Sequence, residues 1–141
     1  MPSLPPLSQF RLDGSEKALW KMIKTDYQEL QIKGNGRIIF VSGPYRNASE
    51  EKKRENIWHA LRVSVRLWEL GFFVICPHLN IANFEFYTDL DESIWLEGNL
   101  EMLSRCDCVF MLKGFETSAG SLKEYELAQR LGKDIYFEDA S

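Results

Sequence analysis

Glu124 has the most suggestive setting of any residue here that could do chemistry. It follows the loop Thr117-Ser118-Ala119-Gly120-Ser121, which reads as leading into a helix whose opening turn contains the glutamate. A carboxylate near a helix N-terminus is favoured in its ionised form by the helix dipole, as a nucleophile requires. An acidic first turn is equally an ordinary structural preference. Glu126, two residues on, points elsewhere around the helix and reads as solvated. A second segment, Ser42-Gly43-Pro44-Tyr45-Arg46-Asn47, joins an apolar run to a helix start. Gly43 permits close backbone approach, and the helix start offers free N–H groups to an anion. The segment reads equally well as a turn plus a cap. It matches neither the P-loop pattern nor Gly-x-Gly-x-x-Gly.

The elements that must hold these residues follow from hydrophobic runs and breakers. Residues 1–14 are rich in proline and polar residues and read as an arm. Leu19, Met22, Ile23, Tyr27 and Leu30 give helical spacing over Ser15–Leu30, and Gly34-Asn35-Gly36 breaks the chain. Residues 1–36 are therefore expected as an arm and helix, and residues 37–141 as the domain proper. Arg37–Val41 is a continuous apolar run suited to a strand buried on both faces. Asn47 with Glu50 reads as a capping-box-like start to a helix with Ile57, Ala60, Leu61, Ser64 and Trp68 inward, closed by Gly71. Phe72–Cys76 is a second strand, halted by Pro77. After a long loop, Ile94 to about Arg105 predicts a helix with Trp95, Leu96, Leu100 and Leu103 inward. Cys108–Leu112 is a third strand, Ser121–Leu131 a helix ending at Gly132, and Asp134–Phe137 a last strand. Alternating strands and helices predict right-handed βαβ units and a mostly parallel sheet of four to five strands. Ligands of such sheets bind outside the carboxyl ends of the strands. That rule selects Ser42–Asn47, Pro77–Glu92 and Lys113–Glu124.

Bulk properties narrow the partners. The 141 residues fit one domain, and a net charge of −4 gives no basic field for a polyanion. A nucleic-acid polymer is thus not an expected partner, whereas a small anion needs only a local site. Cys76, Cys106 and Cys108 are odd in number and lack zinc-site spacing, so they are expected as core thiols and no metal is expected. No run approaches the ~20 apolar residues of a membrane span, and the N-terminus lacks signal-peptide character. A reducing cytoplasm is the expected location.

The series Phe40-Val41-Ser42-Gly43-Pro44-Tyr45, Trp95-Leu96-Glu97-Gly98-Asn99-Leu100-Glu101-Met102-Leu103, Cys106-Asp107-Cys108-Val109 and Gly120-Ser121-Leu122-Lys123-Glu124, with Ala128 and Gly132-Lys133, resembles the nucleoside 2-deoxyribosyltransferase superfamily. The chain is most similar to its small bacterial and phage branch, the DUF4406-type domain, which Cys76-Pro77-His78-Leu79-Asn80 also resembles. The likeness runs over about residues 37–137 in the right order. Each motif is weak alone, and their combination is fairly specific.

The resemblance implies a flavodoxin-like (Rossmann-like) three-layer α/β sandwich with a pocket at the strand ends and no cofactor. It implies N-glycosidic bond chemistry on a nucleoside or nucleoside 5′-monophosphate, through a glycosyl ester on Glu124. Glu124, unlike Glu126, keeps the family's eight-residue spacing to a glycine, here Gly132. Tyr45 falls where the family's aromatic residue positions the nucleophile or sugar, and Ser118 where phosphate-preferring relatives bind phosphate. Asn99 departs from the family, which usually has Asp there to orient substrate and assist departure of the base. An amide hydrogen-bonds but supplies neither charge nor a carboxylic proton. Either another acid (Asp89, Asp91, Glu92 or Glu97) replaces it, or the domain binds or senses nucleotides with little turnover. Those four acids read equally as a solvated loop. Phe84-Glu85-Phe86-Tyr87 could stack on a base or pack the long loop. Arg46 has the forked geometry for phosphate, and His78 either lines the pocket or is structural. The expected substrate contacts are Ser42, Gly43, Pro44, Arg46, His78, Asn80, Phe84, Asp89, Asp91, Ser118 and Gly120. Relatives commonly form dimers or larger assemblies, so a homo-oligomer is expected.

Overall fold

The computed structural model describes residues 17–18, 30–47 and 49–138. Four strands, β1 (Ile38–Ser42), β2 (Phe73–Ile75), β3 (Cys108–Met111) and β4 (Asp134–Phe137), form one sheet in the order β2-β1-β3-β4. Every pairing is parallel, with Ile39 opposite Cys108 and Ser42 opposite Met111 in the central pair. Among the described residues from β1 onward, the helices are α1 (Glu50–Glu69), a single turn α2 (Pro77–Asn80), α3 (Glu92–Ser104) and α4 (Ala119–Arg130). Short 3-10 turns occupy Phe84–Phe86 and Phe115–Thr117.

The continuous apolar runs arise because both sheet faces are covered. Ile39, Val41, Cys108, Phe110 and Leu112 pack with Ala60, Val63 and Leu67 of α1. The alternate residues Phe40, Val109 and Met111 pack with Leu103 of α3 and Ala128 of α4 on the other face. This is the expected three-layer sandwich, with four strands, all parallel. Burial of Cys106 and Cys108 pushes both thiols up to about 11, and all three cysteines are buried and free.

Four local expectations shift. Helix α1 is capped by Ser49, whose Oγ accepts from Lys52 N, while Asn47 accepts from Ser49 N in the preceding turn. Its inner stripe is Ala60, Val63, Ser64 and Leu67, one i, i+3, i+4, i+7 set. Trp68 lies just beyond that stripe, is 53% exposed and packs against Phe73 at the β2 edge. The long second loop contains α2, which Pro77 can begin because the first helical residue needs no N–H partner. Helix α4 starts at Ala119, two residues before the predicted Ser121, because Ser118 supplies the cap. Gly71, at φ 95°, closes α1 in a backbone conformation that favours glycine.

The helix expected over Ser15–Leu30 lies outside the described residues except at Lys17, Ala18 and Leu30; Leu30 packs on the core beside α1. Among the described residues, no helix is long and apolar enough to cross a membrane. None of their His, Cys, Asp and Glu side chains form a group of three or more able to hold a metal ion.

Candidate active site

After β1 the chain crosses to α1 on one face of the sheet, and after β3 it crosses to α4 on the other. The loops leaving these adjacent strands diverge, which opens a crevice at their carboxyl ends. A cavity of about 1010 Å³ lies there, large enough for a nucleotide-sized ligand. Its wall contains Gly43–Asn47, Pro77 and His78, part of α3, and the Lys113–Glu124 region.

Glu124 is on that wall and only 6% exposed. Because α4 begins at Ala119, the residue stands in the second turn, where the helix dipole has little hold. Burial sets its chemistry instead. It pushes the carboxyl up to about 7, opposed by a hydrogen bond from Ser42 Oγ to Oε1 at 2.6 Å. The expectation of a dipole-stabilised carboxylate is corrected accordingly: near neutral pH the group is poised between its two forms. Glu126 is exposed, as its position on the helix required.

Ser42, expected against the substrate, gives its hydroxyl to Glu124. Gly43 does make a close approach, but to the core: a Cβ there would lie 2.6 Å from Leu112 Cβ. His78 Nε2 donates to the Pro44 carbonyl at 2.7 Å, and burial lowers its pKa to about 4, so the ring is neutral. Tyr45 packs edge-on against His78, and its hydroxyl accepts from Asn83 N at 3.1 Å. These two contacts brace the loop after β1 against the segment after β2.

On α4, Ser118 Oγ accepts from Ser121 N, which caps the helix and leaves the Ser118 O–H free to donate. Gly120 and Ser121 are beside it on the wall. Arg46 faces Glu92 across the cavity in an ion pair. Asn99 lines the cavity on α3, where the resemblance implies an acid. Asp91 also lines it, but its carboxylate caps α3 by accepting from Ser93 N, which holds its pKa below the ordinary value.

Four expected contacts are not brought to the wall: Ser42, which lies behind it against Glu124, and Asn80, Phe84 and Asp89. Phe84 instead packs edge-on against Trp95, and it is Trp95 that lines the cavity, together with Ile81 and Leu96. Trp95 and Leu96 read from periodicity as core residues of the helix. The signal that finds them is their place in the first turns of the helix that follows a strand-end loop. Lys113 and Lys123 were also missed and stand on the wall; Lys113 is only two residues past the end of β3.

A doubly wound parallel sheet with a carboxylate-bearing crevice at its switch point defines a class of small-ligand α/β domains. Residues 37–137 match the family described as a domain of unknown function, DUF4406, and the chain belongs to that family. Its fold is similar to that of a 2-deoxyribosyltransferase from the psychrotolerant bacterium Bacillus psychrosaccharolyticus. The TM-score is 0.52 and the identity 22%, over 71% of this chain and 70% of that one. A 2-deoxyribosyltransferase from Leishmania mexicana is similar at TM-score 0.50 and 19% identity, over 72% of this chain and 63% of the other. No curated protein matches the sequence.

Proposed function

We propose that this domain acts on the N-glycosidic bond of a nucleoside or nucleoside 5′-monophosphate, with Glu124 as nucleophile. The observation carrying the proposal is a buried, cavity-lining carboxylate with one oxygen held by Ser42. The shared fold with two 2-deoxyribosyltransferases supports it.

The chemistry parallels a retaining glycosidase. A lone pair of ionised Glu124 forms a bond to C1′ of the sugar. The C1′–N bond breaks, its electron pair leaves with the base, and the base takes a proton from water. The glycosyl ester is then attacked at C1′ by water, giving the free sugar, or by a nitrogen of a second base, giving transfer. Either step returns the Glu124 carboxylate and releases the attacking group's proton. Trp95, Ile81 and Leu96 offer an apolar wall for the base. The Ser118 hydroxyl, the start of α4 and Lys123 offer a place for a 5′-phosphate.

A specific observation favours a second reading, a nucleotide-binding or sensing domain with little turnover. Asn99 stands on the cavity wall, the nearby Asp91 is engaged as a helix cap, and Glu92 is paired with Arg46. None of the three is an unengaged carboxyl ready to assist the leaving base.

Chromatography of free base released from a panel of nucleosides and 5′-monophosphates, run with and without an acceptor base, tests both readings. The expected result is release by the native protein and at least a thousandfold loss in Glu124→Ala. Full activity in that variant overturns the assignment, and tight binding without release across the panel selects the second reading.

A further inference from the structure

We propose that Ser42 is the residue that positions the nucleophile, holding one oxygen of Glu124 so that the other faces the sugar. The resemblance gives Tyr45 a role in positioning either the nucleophile or the sugar, and the inference rests on the glycosidic reading above. Ser42 is the last residue of β1 and is 1% exposed. Its carbonyl accepts from Leu112 N at 2.7 Å, and it sits in register with Met111, so its backbone is fixed by the centre of the sheet. Glu124 is anchored just as firmly on α4, whose Ala128 is fully buried against that sheet. The 2.6 Å bond therefore joins two side chains carried on rigid elements. A hydroxyl in this position donates to Oε1 and fixes the rotation of the carboxylate, leaving Oε2 for the sugar.

Tyr45 is committed elsewhere. Its hydroxyl accepts from Asn83 N, and its ring packs on His78, contacts that brace the loop. Among the described residues, the hydrogen bond to the Glu124 side chain comes from Ser42. The same bond matters twice in the reaction. It favours the ionised nucleophile before attack, and it stabilises the carboxylate as it leaves the ester in the second step.

Ser42→Ala, Ser42→Thr and Tyr45→Phe separate these roles when kcat and KM for base release are measured between pH 5 and 9. In parallel, the Glu124 carboxyl is titrated by carbon NMR of glutamate-labelled protein and assigned with Glu124→Gln. Ser42→Ala is expected to lower kcat at pH 7 by about ten- to a hundredfold, with KM within about twofold. The acid limb of the rate profile and the carboxyl titration should rise together by about one to two pH units. Ser42→Thr should restore both, because it returns the hydroxyl, and Tyr45→Phe should leave the titration in place whatever it does to KM. An unmoved titration in Ser42→Ala, or a moved one in Tyr45→Phe, overturns the proposal. A native protein with no turnover sinks the glycosidic reading alone, and the carboxyl titration still decides whether Ser42 controls Glu124.

Discussion

A buried acid with a raised pKa leaves a signature in stability as well as in rate. Unfolded, Glu124 ionises near its ordinary value of 4.5, whereas in the fold it does so at about 7. Between those two values the unfolded chain holds fewer protons than the native one, so stability falls as pH rises through that window. The loss amounts to on the order of 3 kcal/mol above pH 7. Glu124→Gln keeps an acceptor for Ser42 and removes the charge. Urea denaturation at pH 5 and pH 8 should show the variant nearly as stable as the native protein at the lower pH and clearly more stable at the higher. His78 acts in the opposite sense. Its pKa is lowered from 6.5 to about 4, so its contribution is complete above 6.5 and fades as pH falls. Comparing Glu124→Gln with the native protein cancels that term and isolates the glutamate. The acid proposed as nucleophile was legible in the sequence, because loop, glutamate and glycine keep the spacing that the resemblance implies. Its protonation was not, because burial depends on what folds against it.

At the level of elements, the site depends on how the loop after β1 is held. Gly43 lies against Leu112, and an added Cβ would meet side-chain carbons at 2.6 and 2.7 Å. Gly43→Ala should therefore cost about 1–3 kcal/mol by overpacking, measured by denaturant unfolding. It should also raise KM, because Pro44 and Tyr45 follow directly on the cavity wall. No change in either quantity would mean that the loop yields freely. The helix starts teach a related lesson. Periodicity located α1 and α4, but their first residues were decided by competition between nearby capping groups. Ser118 won for α4, which moved Glu124 from the first turn to the second and replaced the dipole with burial as the governing influence.

Over the whole molecule, the cavity lies where the two helical layers diverge, and its wall draws on segments following β1, β2 and β3. A ligand that binds there ties those segments together and stabilises the native state by mass action, by about 2.7 kcal/mol at a hundredfold excess over Kd. Thermal melts with a nucleoside 5′-monophosphate should therefore rise by several degrees, both in the native protein and in Glu124→Ala. Trp95→Ala should lose most of that rise if the base lies on the indole. An unchanged melting temperature across the nucleoside and nucleotide panel would count against both functional readings at once.

The sequence by itself determined the layered α/β class, the order of the four strands along the chain, the segments beginning at Ser42, Pro77 and Lys113 as the strand-end loops, and Glu124 over Glu126 as the candidate acid. These follow from local information: continuous apolar runs, breakers and fixed spacings. Only the tertiary structure decided what those residues touch. It gave Ser42 to Glu124, His78 to the Pro44 carbonyl and Tyr45 to Asn83, and it put Trp95 on the wall with Phe84 behind it. Each of these contacts joins residues far apart in the chain or turns a side chain to one of two available sides. Local spacing carries no record of either choice; the packing of β1, β3 and α4 around one crevice does.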